Sequence, residues 1–148
     1  MIRAFAFVSA YAAAGLTLPQ RQTTYSAGYD LAAAATTTCS PGQVTLIPTG
    51  VKVYLPPDEF LMVSLRSSIP RRYSLLQANP PGIIDADYVD NPENEGLIMV
   101  QVVNIGSQEV IIPQGERIAQ GVFLKFLTCE GEQPPTESRR GGHGSTGK

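Results

Sequence analysis

The apolar residues of this chain come in short runs that alternate with a period of two and end at proline or glycine, and no other feature constrains the fold as strongly. Between Gln43 and Arg66 lie "VTLIPTGVKVYL" and "EFLMVSLR", separated by "PPD". From Gly96 the pattern returns as "GLIMVQVVN", "QEVIIP" and "RIAQGVFLKFL", broken at Gly106-Ser107 and at Gln114-Gly115. Twelve prolines and fourteen glycines punctuate the chain. Runs of about 5 to 9 residues so spaced predict a sandwich, barrel or jelly roll. No segment sustains a helical period, and at most one short turn of helix is expected, near Ile69 to Ser74. The expected class is all-β.

At 148 residues and 43% hydrophobic content the chain makes about one domain with a real core. Its net charge of −2 lacks the basic footprint of a nucleic-acid binder, so small molecules or proteins are the expected partners. No run reaches the ~18 apolar residues of a membrane span. Cys39 and Cys129 fit neither a disulfide framework nor a C-x-x-C site, which suits a reducing compartment. Arg3 followed by "AFAFVSAYAAAGL" admits two readings, a signal peptide or a strand in which Phe5 and Phe7 share a face. After Leu127 the composition becomes polar and rich in Gly and Pro. This predicts a body over residues 1–128 and a flexible arm over residues 129–148.

The arm ends in "GGHGSTGK", which from Gly142 satisfies the G-x-x-x-x-G-K spacing of a phosphate-binding loop. It lacks the Ser or Thr after the Lys, and the following helix, that such a loop needs, so a disordered terminus competes with that reading. Four further stretches stand out chemically. "SAGYDL" sets Asp30 beside Gly28; "LRSSIPRR" clusters Arg66, Arg71 and Arg72 with Ser67 and Ser68. "NPPGIIDADY" spaces Asp85 and Asp87 two apart, on one face if the segment is extended, with Tyr88 adjacent. "GERIAQG" brings Gln120 into an apolar strand. Each alone has an ordinary explanation as a turn residue, a solvated loop, exposed acids or a polar strand position.

In this order, "AGYDL", "RSS", "GIIDADY", "GERIAQ" and "GGHGSTG" resemble the five motifs of the trimeric dUTP pyrophosphatases (dUTPases), over about Ser26 to Lys148. The resemblance implies a jelly-roll-like fold of the β-clip type and a homotrimer whose copies share active sites. It implies hydrolysis of dUTP to dUMP and pyrophosphate, by water attacking the α-phosphorus, in a soluble intracellular protein that binds neither nucleic acid nor membrane. The N-terminal apolar run then becomes the first strand, and "GGHGSTGK" a lid that orders over phosphates.

Residue by residue, the resemblance makes Asp85 the acceptor of the water's proton. Arg66, Ser67, Ser68 and Gln120 contact phosphates, while Arg117 is structural. Asp30 meets Mg2+ through water, the ion resting mainly on the triphosphate. Asn79, the backbone of Gly82, Ile83, Ile84 and Asp85, and Met99 read uracil. Tyr88 packs on deoxyribose and excludes a 2′-hydroxyl. In the lid, Arg139 or Arg140 reaches the terminal phosphate, His143 stacks on the base, and Gly144, Ser145 and Thr146 wrap phosphate.

Two departures from the family pattern matter. The fifth motif usually reads R-G-x-G-G-F, but "SRRGGHG" places Ser138 where the arginine belongs and His143 where the aromatic belongs. After Tyr88, "VDNPENEG" makes the hairpin loop, Val89 to Glu95, longer than usual, and it is expected to be peripheral. Two other classes share the fold: an inactive interaction module, against which an intact Asp85 and Tyr88 speak, and the dCTP deaminases, for which no Glu stands in the matching stretch.

Overall fold

The structure, a computed structural model, describes residues 2–142. Its strands are β1 (Ala4–Phe7), β2 (Tyr29–Ala32), β3 (Thr37–Cys39), β4 (Val44–Pro48), β5 (Val51–Tyr54), β6 (Glu59–Leu65), β7 (Leu75–Gln77), β8 (Gly82–Asp85), β9 (Met99–Asn104), β10 (Val110–Ile112) and β11 (Arg117–Lys125). One short helix, α1 (Ser68–Tyr73), and 3-10 turns at Ser9–Tyr11 and Ala86–Tyr88 complete the described elements. The strands form a four-stranded sheet ordered β2-β11-β6-β8, a three-stranded sheet β4-β9-β7, and two pairs, β1-β5 and β10-β3, all antiparallel. This is the expected all-β, jelly-roll-like architecture.

The period of two does what it predicts. Along β6, Leu61 and Val63 enter the core, and along β9 Val100 and Val102 do, while Gln101 and Val103 face away. Leu31, Ile47, Leu75, Ile112 and Ile118 meet them from the other strands, so one core lies between the sheets. α1 occurs where a helical turn is expected. Ile69 anchors it in the core, and it stops because Ser74 takes a left-handed conformation (φ 54°) and donates to Pro70 O at 2.9 Å.

The N-terminal run begins as a strand, as expected, but only to Phe7. β1 pairs with β5, and Phe5 packs among the rings of Tyr29 and Phe123 with centroids 5.6 Å from each. Ser9 then turns because Glu95 accepts from its N–H at 3.1 Å and from its hydroxyl. Arg3 fixes the start of the strand by pairing with buried Glu59, whose carboxyl it holds below the usual range. No helix among the described residues is long and apolar enough to cross a membrane. From residue 126 to residue 142 the chain forms no strand or helix and runs mostly exposed.

Candidate active site

The sequence-predicted residues gather into two groups at different places on the four-stranded sheet. The first is built around β8. This strand pairs with β6 on one side only, Gly82 opposite Val63 and Asp85 opposite Phe60, so it is the edge of its sheet. Its outer main-chain groups can therefore pair with something else, as any edge strand's can. Beside it lies a cavity of about 150 Å³ lined by Val63, Gln77, Asn79, Gly82, Ile83, Ile84, Asp85, Tyr88, Met99, Gln101, Arg139 and Gly142. Among the described residues, every one expected to read the base or sugar lines this one cavity, although they come from a loop, a strand, a turn and a second sheet.

One expectation needs correction. Asp85 and Asp87 do not share a strand face, because β8 ends at Asp85 and the chain winds into the 3-10 turn Ala86–Tyr88. They are linked differently: Arg139 donates to Asp87 at 2.9 Å and pairs with Asp85 through its other nitrogen. Tyr88 is buried, with its hydroxyl donating to Leu97 O and accepting from Asn94. Burial is the main cause that raises this phenol above its ordinary value, so it stays a protonated donor.

The second group is built where β2, β11 and β6 run side by side. Gln120 lies opposite Asp30 on one side and Ser64 on the other. Asp30 holds two guanidiniums: Arg117 at 3.0 Å and Arg66 at 3.6 Å, while Arg66 also donates to Arg117 O at 3.3 Å. Gly28 leaves room for the Gln120 carboxamide, which a Cβ at that position would push aside. Ser67 and Ser68 follow Arg66 directly, and Ser67 leaves its hydroxyl available because it does not cap α1. Arg72 belongs elsewhere, pairing with Glu116 at 3.2 Å.

Among the described residues, no three His, Cys, Asp or Glu side chains converge to hold a metal ion. Asp30 is engaged by two arginines and Asp85 by one. This donor set fits an ion that brings most of its ligands with it, and does not fit a protein cage. A larger cavity, about 530 Å³, lies between residues 14–20 and β2; Asp30 and Arg117 line it, but none of the residues expected to read the base does. Chemistry, and not size, identifies the site.

Gln77 and Gln101 are site residues that alternation alone conceals. Gln77 accepts from Leu65 N at 3.3 Å and donates to Val63 O at 2.9 Å, pinning β7 against β6 below the cavity. The loop Val89 to Glu95, expected to be peripheral, instead holds buried Asn91 and bonds directly to Tyr88. His143, Gly144, Ser145 and Thr146 lie outside the described residues, and Arg140 is exposed beside Arg139.

Comparison with known proteins shows the family. The family model described as dUTPase matches residues 14–147. The chain is 48% identical over 147 residues to the deoxyuridine 5'-triphosphate nucleotidohydrolase of Lactococcus lactis subsp. lactis, covering 99% of this chain and 98% of that protein. The crystal structure of a dUTPase from Streptococcus mutans superposes with a TM-score of 0.82 at 45% identity, covering 86% of this chain and 98% of that one. A dUTPase from phage phi11 of S. aureus, described with a coordinated structural Mg(II) ion, shares the fold at 20% identity and a TM-score of 0.72, over 90% and 97% of the two chains.

Proposed function

This chain belongs to the dUTPase family and hydrolyses dUTP to dUMP and pyrophosphate, and we propose that it does so with Asp85 as the general base in sites shared between copies. The observation that carries this reading is the convergence of Asn79, Gly82, Ile83, Ile84, Asp85, Tyr88 and Met99 on one cavity.

Uracil pairs with the free edge of β8 and with Asn79. A pocket offering an acceptor to N3–H and donors to O2 and O4 rejects cytosine, whose edge leaves those groups unpaired. The close backbone leaves no room for the methyl of thymine, and Tyr88 closes the sugar side against a 2′-hydroxyl. Asp85 accepts a proton from the attacking water. The oxygen of that water bonds to the α-phosphorus, the bond from that phosphorus to the bridging oxygen breaks, and pyrophosphate leaves. Asp is a weak base near neutrality, so positioning and charge neutralisation supply much of the acceleration. Arg66, Ser67, Ser68 and Gln120 hold the phosphates. When bound, Mg2+ neutralises and orients the triphosphate, and Asp30 is the residue that would meet it through water.

One chain does not bring these parts together. Asp85 lies opposite Phe60, and Arg66 follows six residues further along the β6 direction, which at the rise of a strand is about 20 Å. Asp85 activates the water that attacks the α-phosphorus while Arg66 grips the neighbouring phosphates, and a separation of this size favours their coming from different copies. A surface for that copy exists. Val44, Val103 and Leu76 stand in one row across the outer face of the three-stranded sheet, with Leu46 in the next row. Val44, Leu46 and Leu76 are exposed. Met99 and Gln101 continue the β9 face into the cavity, so whatever covers this face abuts the pocket. A homotrimer fits, with residues 129–148 as an arm that closes over the nucleotide.

The test is incubation with dUTP, dCTP, dTTP and UTP in the presence of magnesium, following pyrophosphate release in the wild type and in Asp85→Asn. Release from dUTP alone, lost in Asp85→Asn while dUTP binding stays within about tenfold, is expected. A variant that kept more than about a tenth of wild-type kcat would remove the general-base role.

A further inference from the structure

The hydroxyl of Tyr88 is tethered at its tip. It donates to Leu97 O at 2.8 Å and accepts from Asn94 Nδ2 at 2.8 Å. The main-chain oxygen of the same residue accepts from Asn91 Nδ2 at 2.7 Å. The two asparagines are bonded to each other at 2.8 Å, and each organises the loop around itself. Asn91 Oδ1 accepts from the N–H of Glu93 at 3.0 Å and of Asn94 at 3.1 Å; Asn94 Oδ1 accepts from Gly96 N at 3.1 Å. The neck of the loop closes at Gly96 (φ 89°), where a Cβ would meet Val89 Cα at 2.8 Å and Tyr88 O at 3.0 Å.

The loop is also anchored from outside. Lys52, almost fully buried, pairs with Asp90 and with Glu95 at 3.2 Å, and Tyr54 donates to Asp90 at 3.0 Å. Glu95 in turn holds Ser9 of the N-terminal turn. The segment that lengthens this hairpin is thus a built support with Tyr88 at its centre.

A ring excludes a 2′-hydroxyl only as far as it refuses to tilt. Discrimination by shape alone is modest when the wall can yield, and it strengthens when supporting contacts lock the side chain. We infer that Asn94 is a positioning residue for sugar selectivity: from the loop Val89 to Glu95 it fixes the tip of Tyr88, making the ring an unyielding wall against ribonucleotides. This rests on the reading of Tyr88 as the sugar-excluding ring.

The experiment measures kcat/KM for dUTP and for UTP in the full chain and in Tyr88→Ala, Tyr88→Phe, Asn94→Ala, Asn94→Asp and the double variant Tyr88→Phe with Asn94→Ala. Asn94→Asp keeps an acceptor for Asn91 and Gly96 but removes the donor to Tyr88, so it decides the matter should Asn94→Ala not fold. Tyr88→Ala is expected to admit UTP. Each Asn94 variant is expected to narrow the dUTP preference by roughly three- to tenfold, the worth of one buried hydrogen bond. Once Tyr88→Phe has removed the hydroxyl, Asn94→Ala is expected to add nothing more. An unchanged preference in Tyr88→Ala would refute the sugar role of Tyr88 itself. If Tyr88→Ala admits UTP while the Asn94 variants keep the wild-type preference, or add to Tyr88→Phe in full, the inference is overturned.

Discussion

Arg139 Nε donates to Asp87 Oδ1 at 2.9 Å, and the same guanidinium pairs with Asp85. A side chain left only 18% exposed between two carboxylates is a seat for the arm. Arg140, next along the chain, is exposed and able to meet phosphate. On the proposed reading the family's displaced arginine divides into two roles, Arg139 seating the arm and Arg140 meeting phosphate.

Those roles separate by ligand. Arg140→Ala should weaken dUTP by about ten- to a hundredfold, the worth of a hydrogen bond to a charged group, and leave dUMP binding unchanged. Arg139→Ala should weaken both nucleotides alike, because the groups it touches flank the base pocket. Calorimetric titration with dUMP and with dUTP plus magnesium in Asp85→Asn backgrounds measures this, and a reversed pattern would exchange the roles.

Stability should fall in acid for a specific reason. Hydrogen bonding from Arg3 lowers Glu59, hydrogen bonding from Lys52 lowers Asp90, and bonds from Ser9 and then Lys52 lower Glu95. A depressed folded-state value means that the ionised form stabilises the fold. That stabilisation is complete above the ordinary values of 3.8 for Asp and 4.5 for Glu, and is lost as pH falls below them. Thermal melts from about pH 6 down to about pH 2.5 should show Tm falling below about pH 4.5, and Glu59→Gln should flatten part of that fall. A Tm that rose on acidification would contradict the assignment.

The outer face of the three-stranded sheet should be where copies meet. Leu76→Glu puts a charge into the row it forms with Val103 and Val44, and burying an unpaired charge is prohibitive. Light scattering should find monomers that keep the β circular dichroism of the wild type and have lost turnover. An intact, active trimer would move the interface elsewhere.

The fold class was legible in the sequence because it rests on local alternation, and the candidate site residues because their motifs resemble those of a known family. The alternation in "EFLMVSLR" and "GLIMVQVVN" predicted half-buried strands, which the structure resolves with Leu61, Val63, Val100 and Val102 inward, and the short helix was expected near Ile69 to Ser74. What it concealed depends on contacts between distant segments. Asp87 leaves the strand because the chain winds up after Asp85. The bond from Asn94 to Tyr88, the grip of Lys52 on Asp90, and the pairing of Arg3 with Glu59 exist only once the loops and strands have met. "VDNPENEG" reads as a solvated insertion because its asparagines find their partners in the folded loop and leave no periodic trace.

The central claim is that Asp85 and Arg66 serve one dUTP molecule from different copies, and complementation tests it most directly. Asp85→Asn and Arg66→Ala chains, each inactive alone, are unfolded, mixed in equal amounts and refolded together. If the sites are shared, about one quarter of them combine an intact Asp85 from one copy with an intact Arg66 from another, and dUTP turnover returns to roughly that fraction of wild type. A mixture as inactive as its two components would contradict the account.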